Sequence, residues 1–212
     1  MRKDLAERTA RGRPKKLDRD DVLEKAMGLF WRFGYEPTSM SQLIEETGTK
    51  PSSLYAEFGS KEGLFCAAVD KYLATYGHAR DVILEQDDFS LPQVIEQLLR
   101  TSVDWFTDTE TPAGCFMVVA TFGMSAEDEA LFNQLSQPRN SAEKKIVECL
   151  ELRVRQAELP ENTNCALLGK YIANFIQGMS VQARNGATRE ELSGLVDIFM
   201  DQWQAISTSC RF

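Results

Sequence analysis

The chain has 212 residues, 43% of them hydrophobic, and a formal net charge of −8, enough for a substantial core in one or two domains. Its first 20 residues lack the apolar stretch of a signal peptide, and the longest near-apolar run, CFMVVATFGM at 115–124, is about half of the roughly 20 residues that span a bilayer. Cys66, Cys115, Cys149, Cys165 and Cys210 fall without CxxC spacing, which argues against a zinc site or a disulfide framework and predicts reduced thiols in a soluble, cytoplasmic protein with no membrane partner.

Charge is unevenly spread. Residues 1–19 carry 8 Lys and Arg against 3 Asp and Glu, and residues 1–61 are net +2, so the remainder is net −10. The front end is therefore suited to a polyanion that the rest would repel. The hexamer RGRPKK at 11–16 concentrates this basicity. One reading is a solvated tail. The other is an extended arm for the minor groove of A·T-rich DNA, because proline disfavours helix at its own position and the one before.

After residue 17 almost every segment reads as helix. LDRDDVLEKAMGLFWRFG places Val22, Leu23, Ala26, Met27, Leu29, Phe30 and Phe33 at helical spacing, with Asp18 as N-cap and Gly34 as stop. A short second helix follows, with capping-box spacing at Ser39 and Gln42 and a stop at Gly48. A third has Pro51 in its first turn and ends at Gly59. Ser60 caps a fourth, on which His78 is a surface residue near the end. Ser90 and Gln93 open a fifth, to about residue 107. An apolar helix is expected over 115–124, a long one over 127–158 with a bend near Pro138, and two more over 164–185 and 188–207, the last opened by Thr188 and Glu191 at capping-box spacing. Strand-type alternation, internal repeats and low-complexity tracts are all missing from the sequence. The predicted class is all-α, with about nine helices.

Residues 38–58 carry the functional signal. Two short helices meet at a turn containing Gly48, each with a thin apolar face: Met40, Leu43 and Ile44 on one, Leu54 and Phe58 on the other. Neither is long enough to be stable alone. With support from Leu29, Phe30 and Phe33 they make a helix-turn-helix. The outward face of the third helix is then Thr49, Lys50, Ser52, Ser53, Tyr55 and Ala56, small hydroxyls with one Lys and one Tyr, suited to phosphates and base edges. Glu57 is the carboxylate that would repel DNA there.

On these residues the chain resembles the TetR family of bacterial one-component transcription regulators. The resemblance rests on Phe-x-x-x-Gly-Tyr-x-x-Thr-Ser at 30–39 and Leu-Tyr-x-x-Phe-x-x-Lys-Glu at 54–62, with a further Gly-Cys-Phe at 114–116. It implies phosphate contacts from the Thr38 and Ser39 hydroxyls and backbone N–H groups, and a major-groove face of Thr49, Lys50, Ser52 and Ser53. Tyr55 would meet a phosphate or thymine methyl, and Lys61 a phosphate. Many members have an aromatic-His pair where this chain has Ala56 and Glu57, which removes phosphate contacts. In that setting Arg11, Arg13, Lys15 and Lys16 read as an auxiliary minor-groove arm. The expected domains are an arm at 1–17, a helix-turn-helix at 18–62 and a ligand-binding and dimerisation domain at 63–212.

The last two helices carry wide apolar faces, including Leu168, Ile172, Phe175 and Met179, then Phe199 and Trp203. They are expected to form a four-helix bundle with a second copy, placing two recognition helices on a palindromic double-stranded operator. Helices four to seven would enclose a pocket for a small apolar or amphipathic effector, with Tyr72, Trp105, Phe106, Cys115, Phe116, Val118 and Phe122 as candidate linings. Cys115 is either an electrophile or oxidant sensor or an inert buried thiol. An architectural A·T binder built on the arm alone would not need so much helical core. One histidine, and no nucleophile motif or phosphate-binding glycine loop, argue against an enzyme; no cofactor or metal is expected.

Overall fold

The computed structural model describes residues 18–121 and 129–211, with side chains throughout except at 129–130 and 132–139. Arg11, Arg13, Lys15, Lys16 and Phe122 lie outside the described residues. Helices α1 (Arg19–Phe33), α2 (Met40–Thr47) and α3 (Pro51–Phe58) form the front of the protein. Asp18 caps α1 through the N–H groups of Asp20 and Asp21, and the α1 stop, Gly34, has φ 89°. Ser39 and Gln42 form the expected reciprocal capping box of α2. Gly48 takes φ 61°, the left-handed conformation that reverses the chain between α2 and α3 at no Cβ cost.

The fourth rod is divided. It runs as α4 (Lys61–Tyr72), a π-helical turn at Leu73–Gly77, and α5 (His78–Leu84). His78 is exposed, as expected. The π turn adds a residue to one wind of backbone and so rotates the side chains beyond it relative to α4. Helix α6 (Leu91–Phe106) starts at the Ser90–Gln93 capping box. The apolar segment yields only α7 (Phe116–Val119) among the described residues. Helix α8 (Glu129–Arg155) includes Pro138 and is followed by α9 (Cys165–Arg184). The final rod breaks at Gln202 into α10 (Arg189–Asp201) and α11 (Trp203–Ser209). An isolated bridge between Thr163 and Arg211 is the sole β pairing among the described residues, and no described helix is long and apolar enough to cross a membrane.

Two apolar clusters hold the molecule. One joins α1–α4 around Phe30, Trp31, Leu43, Leu54 and Phe65, and also takes in Phe116, Met117, Val119 and Ala120 from the α7 region. The other joins α6, α8, α9 and α10. Each fully buried large side chain contributes about 1.5–3 kcal/mol, which is what short α2 and α3 lack on their own. The expected supports on α1 need one correction. Phe30 is buried, but Phe33 is half exposed and Trp31 takes the inward position. Trp31 is drawn in because α7 supplies aromatic neighbours for it, with Phe116 at 5.8 Å between ring centroids.

Candidate DNA-binding surface and effector cavity

Helix α3 presents Lys50, Ser52, Ser53, Tyr55 and Ala56 to solvent, while Leu54 anchors it beneath. Lys50 is its N-cap residue and is exposed, with no side-chain cap bond. Thr49 is part-buried, with its hydroxyl 3.5 Å from the Thr47 carbonyl. Three of the other expected contact residues are engaged within the protein. Thr38 is only 1% exposed and its hydroxyl donates to the Gly34 carbonyl at 2.7 Å, closing the α1–α2 turn. The expected phosphate contact through that hydroxyl therefore finds its donor already committed. The Ser39 N–H and hydroxyl both donate to Gln42 Oε1, at 2.8 Å each. Here the Gln42 oxygen sits at the α2 N-terminus, where an anion would be held. Lys61 donates to the Glu36 carbonyl at 3.2 Å and lies 4.2 Å from the centre of the Tyr35 ring.

Glu57 is not a bare carboxylate. It accepts from Arg19 Nε at 3.1 Å, and the same guanidinium stacks 5.6 Å from the Phe58 ring centre. The sequence reading noted Glu57 but missed its partner, because Arg19 lies 38 residues earlier.

Behind this surface lies a cavity of about 450 Å³, walled by α4, the π turn, α5, α6, α7, α8 and α9. Tyr72, Trp105, Phe106, Cys115 and Val118 line it as expected. Phe116 does not. It is fully buried among Trp31, Phe65 and Tyr72, on the far side of α7 from the cavity lining. Tyr76, Arg80, Ser102, Glu143 and Gln177 also line the cavity and were missed. The +4 steps from Tyr72 to Tyr76 to Arg80 were the available signal. Arg80 is held by Asp81 at 2.6 and 2.8 Å, and Glu143 pairs outward with Lys170 at 3.0 Å. The wall is thus mainly apolar, with the rings of Tyr72, Tyr76, Trp105 and Phe106 and a few polar groups to orient an occupant.

Cys115 sits at the join. Its N–H donates to Ser180 Oγ at 2.8 Å, and its Sγ lies 3.2 Å from the Tyr72 hydroxyl. Burial pushes its thiol pKa up, against smaller opposing effects from the Tyr72 hydrogen bond and nearby backbone N–H groups. Burial also pushes Tyr72 well above its ordinary value. Both groups are neutral at physiological pH. Preceding it, Gly114 has φ 84°, and a Cβ there would come within 2.7 Å of the Ser180 carbonyl.

The front and the cavity are tied directly. Trp31 Nε1 donates to the Gly114 carbonyl at 3.0 Å, the Tyr35 N–H donates to the Ala120 carbonyl at 3.0 Å, and Arg184 donates to the Arg32 carbonyl.

Residues 22–68 match the family model described as bacterial regulatory proteins, tetR family, and residues 92–205 match that of the tetracyclin repressor-like C-terminal domain. The chain belongs to the TetR family. Its relatives within that family include the HTH-type transcriptional repressor ComR of Escherichia coli (strain K12), 36% identical over 194 residues, which are 92% of each chain. The repressor BdcR of the same strain is 26% identical over 181 residues, 85% of this chain and 86% of BdcR. Among solved structures, a cysteine mutant of the TetR-family regulator CifR complexed with 26-base-pair operator DNA superposes with a TM-score of 0.84. It is 36% identical and covers 90% of this chain and 100% of that one. The protein is accordingly a helix-turn-helix transcription regulator of the TetR family.

The terminal helices of this TetR-family chain correct the expected partner face. Leu168, Ile172, Met179, Phe199 and Trp203 are buried inside the protomer, packed with α6 and α8. Phe175 is part-buried, 4.6 Å from the Phe199 ring. The large apolar side chains left in solvent are one residue away: Leu167 and Tyr171 on α9, and Leu195 and Ile198 on α10, with Ile198 64% exposed.

Proposed function

We propose that this protein is a dimeric repressor that binds a palindromic double-stranded operator and releases it when a small apolar or amphipathic molecule fills the cavity. The observation that carries this reading is the continuity between the exposed α3 face and the apolar cavity through Trp31 and Gly114. In this reading Lys50, Ser52, Ser53 and Tyr55 read the major groove, and Arg11, Arg13, Lys15 and Lys16 neutralise phosphates and enter the adjacent minor groove. The exposed Leu167, Tyr171, Leu195 and Ile198 meet their copies in a second chain, because together they leave an apolar patch on neighbouring helices exposed. A bound effector moves the Cys115–Val118 wall, and with it α1, relative to α4.

A sensor acting through oxidation or alkylation of Cys115 is the rival input. Its support is the position of the sulfur in the cavity wall. Against it stands burial, which holds the thiol protonated, whereas the thiolate is the reactive form. A footprint on the DNA flanking the protein's own gene tests the main reading. Symmetric protection is expected. Diffuse protection of A·T-rich DNA instead identifies an architectural binder, and an empty footprint rejects DNA control at that site.

A further inference from the structure

Glu57 poses a problem for a recognition helix. It is exposed in the last turn of α3, seven residues after Lys50 and so on the same side of the helix, where a carboxylate should repel a phosphate backbone. The structure answers with Arg19, the first residue of α1, whose Nε donates to Glu57 Oε1 at 3.1 Å. Side-chain exposures of 56% for Arg19 and 40% for Glu57 make this a surface pair, of the kind that adds little to stability. Stability therefore does not explain it.

Its geometry suggests another use. The Nε bond to Glu57 and the stacking on Phe58 fix the guanidinium from one side. The two terminal nitrogens make no hydrogen bond among the described residues. A planar fork with two free N–H faces is the shape that grips a phosphate. Arg19 also lies three residues after Lys16, so it continues the basic arm onto the end of the recognition helix. We propose that Arg19 is a DNA phosphate contact and that Glu57 is its positioning residue, so that the carboxylate favours DNA binding through the arginine it holds.

The proposal rests on the DNA-binding reading above, and the experiment separates the two. Full-length protein is titrated by fluorescence anisotropy with the footprinted duplex and with a random-sequence duplex of equal length, across a salt series. A wild-type protein with equal affinity for both defeats the operator reading. Given specific wild-type binding, Arg19→Ala is expected to weaken both duplexes by about tenfold at low salt and to lower the slope of log affinity against log salt by about one. Arg19→Lys keeps the charge and loses the fork, so it retains the slope with reduced affinity. Glu57→Ala decides the matter by its sign. It is expected to weaken binding when Arg19 is present and to tighten it in the Arg19→Ala background. Unchanged or tighter binding by Glu57→Ala with Arg19 present, or an unchanged salt slope in Arg19→Ala, overturns the proposal. Circular dichroism melts should be the same for all variants, since both side chains are on the surface.

Discussion

The indole N–H of Trp31 donates to the carbonyl of Gly114 at 3.0 Å. One residue belongs to the first helix of the helix-turn-helix, and the other precedes the cavity-lining Cys115. The same indole meets Tyr72 and Tyr76 edge-on, at 5.4 and 5.8 Å between ring centroids. Trp31 thus touches two walls of the cavity and is itself part of the DNA-binding front. A shift of either wall has to be absorbed by this ring or passed to α1, because close-packed aromatic clusters change arrangement in steps rather than by stretching.

Trp31→Phe keeps most of the ring and removes the donor. The Gly114 carbonyl is then left without its partner, at a cost of about 1–3 kcal/mol. The expected protein is folded, with a lower urea midpoint at unchanged slope. It binds operator, but an effector shifts its operator affinity less than in the wild type. A full response in this variant places the coupling elsewhere.

Much of the fold was legible because helix ends are written locally. The boxes at Ser39–Gln42, Ser90–Gln93 and Thr188–Glu191 each close within four residues, and all three form. What failed needed long-range information. α9 has apolar groups on two adjacent strips, Leu167–Tyr171 and Leu168–Ile172, and periodicity cannot say which one its own core takes. α6 and α8 decide that. Phe116 and Cys115 are neighbours in sequence, yet successive positions on a helix point about 100° apart, so one lines the cavity and the other faces Trp31. Glu57 and Arg19 meet only once α1 and α3 have packed.

Cysteine titration gives a prediction about pH. Burial raises the pKa of all five thiols above the ordinary value of 9.0. A raised folded pKa means that the fold favours the protonated thiol. The resulting stability is fully present below the unfolded value and is lost as pH rises through the folded one. The denaturation midpoint should be insensitive to these groups near neutrality and should fall above pH 9. At neutral pH, iodoacetamide should label Cys115 far more slowly than a small free thiol, read by mass spectrometry. Rapid labelling of Cys115 would revive the sensor reading.

Dimerisation is testable through the two strips. Ile198→Asp places a charge on the exposed face and is expected to give a folded monomer. Leu168→Asp buries an unpaired carboxylate in the protomer core, costs several kcal/mol and should unfold the chain. Sedimentation velocity and circular dichroism distinguish these outcomes. A dimeric Ile198→Asp protein places the partner surface off this face.

The cavity itself can be closed. Ala173 lines it from α9, and the lost space in Ala173→Phe comes out of the ligand's volume rather than from the α1–α3 surface. The expected variant binds operator as the wild type does and no longer releases it when the effector is added. Overpacking costs typically 1–3 kcal/mol, so a thermal melt must accompany the titration. The reciprocal measurement is independent of the mutation. If filling the cavity weakens operator binding, operator must weaken effector binding by the same factor, typically about 5- to 150-fold. Calorimetry of the effector with free and operator-bound protein reads that factor directly. Equal effector affinity in the two states would mean that the cavity holds its ligand without controlling DNA, and that the Trp31–Gly114 bond only joins the two halves of the molecule.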